Sequence, residues 1–326
     1  VITISGGSLQ YDVFNGDADG ICALHQLRLA EPEDSRLVTG PKRDIGLLKR
    51  VKAQAGDRIT VLDVALSKNR EALDAALAAG ASVRYFDHHQ PGEIPHHPRF
   101  EPHIDTSAET CTSLLVNDYL KGKHLVWAVT AAFGDNLAEA ARKAATPLEL
   151  SPAQLDQLRE LGECLNYNGY GETLADLHYA PDALYRIVHQ YVDPFDLIAA
   201  EPAFNVLKSG FADDLARADD ARPLEDRPAG RVYVLPAEKW ARRISGVLGN
   251  RLAEAAPALA HAVLTRKPEG GFVASVRAPL ANKSGADEVC SQFESGGGRK
   301  GAAGINHLPE SDYSRFVDAF YRVFKG

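Results

Sequence analysis

Three β-type runs early in the chain each carry an acid or amide at their C-terminal end, and nothing else in the sequence limits the fold as much. Residues 11–15, 59–64 (ITVLDV) and 82–86 read as strands. Helical patterns follow the first two: 20–30, and then KNREALDAALAAG, with Ser67 as its expected N-cap and Gly80 as its stop. Strands that alternate with helices build a parallel sheet from crossover units, so the expected fold class is α/β with a doubly wound N-terminal domain. The polar groups at the strand ends are Asn15-Gly16-Asp17-Ala18-Asp19-Gly20, Asp63 and Asp87-His88-His89. Open α/β sheets place their sites at that edge. Helices are also expected over 109–120, 124–133, 152–165 and 183–192, and Gly134-Asp135-Asn136 adds one more acid at a helix end.

At 326 residues the chain exceeds the usual size of one hydrophobic core, which favours two domains. The stretch 196–230 is polar, charged and interrupted by prolines, and reads as a linker between domains at 1–195 and 231–326. The second domain offers a strand at 232–235, a helix at 241–255 and a hairpin of 261–266 and 271–277 across PEGG. A helix at 287–293, the run SGGGRKGAAG and a last helix at 312–324 follow. This pattern is a smaller α/β domain with a mixed sheet.

The 45% hydrophobic and 25% charged fractions exclude a disordered or fibrous chain, and no apolar run approaches the roughly 20 residues that span a bilayer. The opening VITISGGSLQ has no basic segment leading into an apolar one, so the expectation is a cytoplasmic protein with no membrane partner. Cys22, Cys111, Cys164 and Cys290 form no CxxC, which argues against a zinc knuckle, a dithiol pair or a disulfide scaffold. Each is expected as a small buried apolar residue. The net charge of −8 argues against binding to extended duplex nucleic acid but leaves room for a short phosphorylated substrate.

In NGDADG, Asp17 and Asp19 present two carboxylates from one turn. An EF-hand loop needs a bidentate Glu at its twelfth position, where this chain has Gln26, so calcium binding of that type is excluded. A catalytic metal site or a solvated turn remains, and the motif alone favours the turn. Asp63 ends an apolar strand, where a carboxylate is costly to bury unless it is paired or bound to metal; alone it reads as a loop or capping acid. Asp87-His88-His89 supplies an imidazole ligand, a partner to orient it and a phosphate donor, although by itself it is as readily a strand cap. The coincidence of four such segments is what points to chemistry.

Taken in order, DxDG, Asp63, Asp87-His88-His89 and Asp135 resemble the four metal motifs of the DHH phosphoesterase superfamily. SGVLGNRLAE at 245–254 and SGGGRKGAAGI at 295–305 resemble the helix start and glycine-rich substrate loop of the DHH-associated C-terminal domain, so the resemblance covers nearly the whole chain. It implies two divalent metal ions, manganese first with magnesium or cobalt as alternatives. Asp17 would bind the first ion and Asp19 the second, Asp63 would bridge them, and His88 with Asp135 would complete the second site. Asp87 and His89 would orient ligands or touch phosphate, which makes Asp63, His88 and His89 the expected catalytic group. Two ions about 4 Å apart share and activate one water, with no covalent enzyme intermediate.

One residue departs from the pattern. Many members have histidine where this chain has Asn15, so the first site would have an amide ligand or one ligand fewer. For substrate binding the resemblance points to Gly297, Gly298, Arg299 and Lys300, with Arg277 on the preceding strand; a flexible linker is the plainer reading of such a run. Asn166, Asn168 and Tyr170 in LNYNGYGE match an Asn-containing substrate loop only loosely.

The implied activity is hydrolysis of phosphodiester bonds in short oligonucleotides or dinucleotides. An exopolyphosphatase or pyrophosphatase is the nearest alternative, and a non-catalytic nucleotide sensor, motivated by Asn15, the alternative of another class. A homo-oligomer is compatible with either.

Overall fold

Parallel strands covered on both faces draw on apolar sequence, and the central strands of the first third of the chain supply most of it. In the computed structural model, which describes residues 8–325, this region folds as β1 (Gln10–Asn15), α1 (Ala18–Ala30), β2 (Arg36–Gly40), β3 (Arg58–Leu62), α2 (Leu66–Ala78), β4 (Ser82–Asp87) and β5 (Phe100–Ile104). Part of the opening segment read for a leader, residues 1–7, lies outside the described residues. The five strands are all parallel, in the order β2-β1-β3-β4-β5. Tyr11 and Val13 join Ile59, Val61, Val83 and Tyr85 in one core layer with Leu66, Leu73 and Leu77 of α2. Alternate residues face the opposite layer, where Asp12 Oδ2 accepts a hydrogen bond from Arg28 Nε of α1 at 2.7 Å. Helices therefore cover both faces, as a doubly wound sheet requires. The strand order reverses at β1, between β2 and β3, which opens a crevice at the C-terminal ends of β1 and β3.

β2 and β5 are edge strands that the sequence reading did not anticipate. Both are half-exposed, and β5 contains Pro102, tolerable only where one side of the ladder is free. Ser67 is not an N-cap: α2 begins at Leu66, with Ala65 in the capping position and no local side-chain cap. The Leu66 N–H instead donates to Asp87 Oδ2 at 3.4 Å, a cap delivered from 21 positions away.

A helical layer follows: α3 (Thr112–Tyr119), α4 (Leu125–Gly134), α5 (Ala138–Ala145), α6 (Pro152–Gly169), α7 (Pro181–Val188) and α8 (Pro194–Ala200). α4 packs against both α1 and α6, which carries its last turn to the end of β1. Residues 196–230 are not a linker. They form the end of α8, then α9 (Pro202–Asp219) and β6 (Pro223–Arg227), because Leu197, Ala203, Phe204 and Leu207 bury an apolar stripe under the charged face. The chain divides into two compact units between Lys208 and Ser209, inside α9.

The second unit adds β7 (Gly230–Leu235), α10 (Lys239–Ala255), β8 (Ala260–Arg266), β9 (Phe272–Arg277), α11 (Ala286–Cys290), β10 (Gly296–Gly298), β11 (Ala302–Leu308) and α12 (Tyr313–Val323). Its sheet is mixed, in the order β10-β11-β9-β8-β7-β6: β7 and β8 are parallel and every other pair is antiparallel. Val232, Leu264, Phe272, Val276 and Ile305 form its core with Phe316, Val317 and Phe320 of α12. All four cysteines are buried and unbonded. Among the described residues no helix is long and apolar enough to cross a membrane.

Candidate metal centre

Each acid of the site is placed by an element that needs it. Asp17 is the N-cap of α1, its Oδ1 accepting from the Asp19 and Gly20 N–H groups at 3.1 Å each. Asp19 lies in the first turn of the same helix and reaches the start of α3, where Thr112 N and Ser113 N donate to its two oxygens at 2.7 Å each. Asp63 follows β3 in a left-handed conformation, φ +57°, with its N–H on Phe86 O at 3.0 Å and Thr112 Oγ1 donating to its Oδ1 at 3.4 Å. Asp135 closes α4.

His88 stands among them. Its Nε2 is 3.4 Å from Asp63 Oδ1, 3.8 Å from Asp135 Oδ2 and 3.9 Å from Asp19 Oδ2. Its Nδ1 is 3.2 Å from the Thr110 carbonyl oxygen, which can only accept, so Nδ1 carries the proton and Nε2 keeps its lone pair for a ligand. Neighbouring ligand atoms about 2.1 Å from an octahedral ion stand about 3.0 Å apart. The spacings around His88 Nε2 are slightly wider, so these residues fit a small divalent ion after a modest contraction. The sets Asp19, His88, Asp135 and Asp63, His88, His89 each bring their ligating atoms within 4.8 Å of one another. Mixed carboxylate and imidazole donors suit manganese.

The acids strain against one another. Burial, reinforced by Asp17 and Asp19, pushes the Asp63 carboxyl well above its usual range. Burial also raises Asp19, with Asp135 and Asp17 opposing the relief offered by His88. Asp17 is lowered: burial works against its charge, but Lys42 and the Gly20 N–H outweigh it. His89 donates Nδ1–H to Asp87 Oδ1 at 2.8 Å, and although burial disfavours its charge, Asp87 and Asp63 raise its pKa.

The structure thus gathers Asp19, Asp63, His88 and Asp135, with His89 beside them on Asp87. It does not place Asp17 in either ligating set. Asp17 Oδ2 forms an ion pair with the Lys42 ammonium at 2.6 Å, and both it and Asn15 Oδ1 are buried with no hydrogen-bond partner. Lys42 escaped the sequence reading because it follows β2, the unanticipated edge strand. Its Nζ also lies 3.1 Å from Asn166 Oδ1, 3.4 Å from Asp135 Oδ1 and 5.5 Å from the centre of the Tyr170 ring. Of the loosely matched LNYNGYGE residues, Asn166 and Tyr170 therefore surround Lys42. Asn168 clips the following loop, its Oδ1 accepting from His178 N and Tyr179 N at 3.1 and 3.0 Å.

In the second unit, Arg277 ends β9 with Nε donating to Asn250 Oδ1 at 2.6 Å and Nη2 to Gly246 O at 3.3 Å, both on α10. It pairs in register with Ala302, next to the turn that carries Arg299 and Lys300, both exposed. The glycine run is an edge strand, β10, and not a flexible linker. A Cβ on Gly296 would meet Cys290 O at 1.8 Å and one on Gly298 would meet Ala303 Cα at 2.5 Å, but Gly297 faces open space. Packing explains two of the three glycines and leaves the backbone at Gly297 accessible.

No protein-family model and no curated protein sequence matches this chain. Solved structures do. The DHH domain of a protein described as a member of a family of ribosomal proteins aligns over 98% of this chain and 87% of its own, with 14% identity and a TM-score of 0.65. Exonuclease RecJ bound to manganese aligns over 96% and 89%, with 17% identity and a TM-score of 0.63. The pGpG-specific phosphodiesterase PggH from Vibrio cholerae aligns over 96% and 98%, with 14% identity and a TM-score of 0.53. At these identities the likeness is one of fold: both units of the chain follow the architecture of DHH-domain proteins.

Proposed function

From a chain with the fold of the DHH superfamily, we propose a divalent-metal-dependent hydrolase of phosphodiester bonds in short oligonucleotides or dinucleotides. The observation that carries this reading is the convergence of Asp19, Asp63 and Asp135 on a His88 whose other nitrogen is already committed to Thr110. A divalent cation supplies, when bound, Lewis-acid charge at phosphoryl oxygen and a water acidic enough to attack near neutral pH. Manganese is the expected ion, as in the RecJ structure, with magnesium or cobalt as alternatives.

The chain's own residues do the rest. Thr112 and Ser113 hold the Asp19 carboxylate in one orientation, and Thr110 fixes the His88 tautomer. His89, partly exposed and with its pKa raised against burial by Asp87 and Asp63, is placed to give a proton at Nε2, when protonated there, to a phosphate oxygen or to the departing alkoxide. In the second unit, Gly297 and Gly298 lend backbone, and Arg277, Arg299 and Lys300 lend charge, to a substrate phosphate. The net charge of −8 favours a short substrate over a long one. The names of two structural neighbours, an exonuclease and a dinucleotide phosphodiesterase, support the same bond type.

The test is a panel with manganese: dinucleotides, oligonucleotides of graded length, 3′-phosphoadenosine 5′-phosphate, cyclic dinucleotides and polyphosphate. Release of mononucleotides from the shortest substrates is expected. Tight binding of one compound with hydrolysis of none would overturn the reading in favour of a sensor, and turnover of polyphosphate alone would move it to phosphoanhydrides.

A further inference from the structure

We propose that the Lys42 ammonium takes the place of one metal ion, so that this chain holds a single divalent ion beside a built-in cation. The inference rests on the metal-centre reading above and concerns how many ions that centre takes.

Lys42 Nζ is ion-paired with Asp17 Oδ2 at 2.6 Å and donates to Asn166 Oδ1 at 3.1 Å and to Asp135 Oδ1 at 3.4 Å. The backbone fixes the position: Lys42 N donates to Gly169 O at 2.8 Å. Gly169 in turn ends α6 hard against Asp17, so close that a Cβ there would lie 2.8 Å from Asp17 Cβ. One helix end thus locates both the lysine and the acid it holds.

The other side of the cage differs. Among the described residues, both sets of converging ligand atoms contain His88 and neither contains Asp17. An ion bonded to Asp17 Oδ2 at about 2.1 Å would share that oxygen with the ammonium and stand within about 5 Å of it, two like charges on one acceptor. Asn15, at the position where many members have histidine, would offer that ion only a neutral amide. Lys42 therefore neutralises Asp17 and puts fixed positive charge where a second ion would put it, while the set of Asp19, His88 and Asp135 holds the one ion.

The experiment uses the full chain, stripped with chelator and titrated with Mn2+. Stoichiometry is read by calorimetry and by elemental analysis after desalting, and spin coupling by electron paramagnetic resonance. The wild type is expected to take one ion with an uncoupled spectrum. Lys42→Ala is expected to take two, with the spectrum of a coupled pair, and Lys42→Met, which keeps the stem and loses the charge, covers the case in which Lys42→Ala does not fold. Two ions in the wild type, or one in both variants, would overturn the role of Lys42 and leave the hydrolase reading standing. No bound manganese in any form, together with no manganese-dependent turnover, would overturn the metal centre itself and this inference with it.

Discussion

His88 Nε2 lies 3.4 Å from Asp63 Oδ1, and neither residue is placed by the other: His88 is turned by Thr110 and Asp63 by its own backbone, φ +57°. Two side chains so fixed, one with a free lone pair and one a carboxyl lifted well above its usual pKa by burial and by Asp17 and Asp19, form half of a ligand set. Asp63→Asn should lower manganese-dependent turnover by more than about 100-fold. It should leave metal-free stability unchanged or higher, because asparagine tolerates the left-handed backbone and removes a repelling carboxyl. Asp63→Ala should lose the same activity and about 1 kcal/mol of stability besides. Thermal melts beside rate measurements check both, and wild-type turnover in Asp63→Asn would exclude Asp63 from the site.

Metal binding should be coupled to pH through the same carboxyl. With its folded pKa raised, Asp63 contributes stability that is present below the ordinary carboxylate value of about 4 and is lost as pH rises through the folded value. A bound cation removes that loss. The stabilisation produced by manganese, measured as the difference between melts with the ion and with chelator, should therefore grow as pH rises over that window. It should reach about 3 to 4 kcal/mol at 100 to 1,000 times the dissociation constant. Asp19→Asn should abolish most of it. A manganese shift independent of pH would argue that no proton is displaced from the acids.

Gly169 should tolerate no side chain. A Cβ there would lie 2.8 Å from Asp17 Cβ and 3.0 Å from Asp17 Cα, atoms anchored in the N-cap of α1. Gly169→Ala is expected to cost about 1 to 3 kcal/mol and to weaken manganese binding as the centre is pushed apart. Unchanged stability and affinity in that variant would mean that α6 can shift without cost.

A different group governs acid sensitivity. His25 is fully buried with Nδ1 3.0 Å from His189 Nδ1, and burial, helped by the His189 charge, takes its pKa down to about 3. The unfolded chain protonates this histidine near pH 6.5 and the folded one does not. Stability should therefore fall as pH drops from about 6.5 toward 3, by up to about 1.4 kcal/mol per pH unit from this residue. Denaturant titrations of His25→Leu should show a shallower slope over that range; an identical slope would assign the acid sensitivity elsewhere.

The metal-binding half of the site was legible because its residues follow strands whose apolar character is local. ITVLDV is buried along its length and the next strand is buried from Tyr85 to Asp87, so the acids at their ends are costly there unless something binds them. The edge strands were not legible: β2 and β5 are half-exposed and carry little more apolar signal than a loop. The supposed linker misled for a related reason, since α9 hides a narrow apolar stripe of Ala203, Phe204 and Leu207 among charges that reach solvent.

By itself the sequence determined most of the elements, the α/β class of the first unit, and which acids stand at strand ends, since hydrophobic period and strand termini are properties of neighbouring residues. Only the tertiary structure decided which of those acids converge. Asp19 and Thr112 are 93 positions apart, and Lys42 and Asn166 are 124 apart. Sheet order and helix packing bring such groups together, and an electrostatic pairing like that of Lys42 with Asp17 depends on distance in space, which no local pattern encodes.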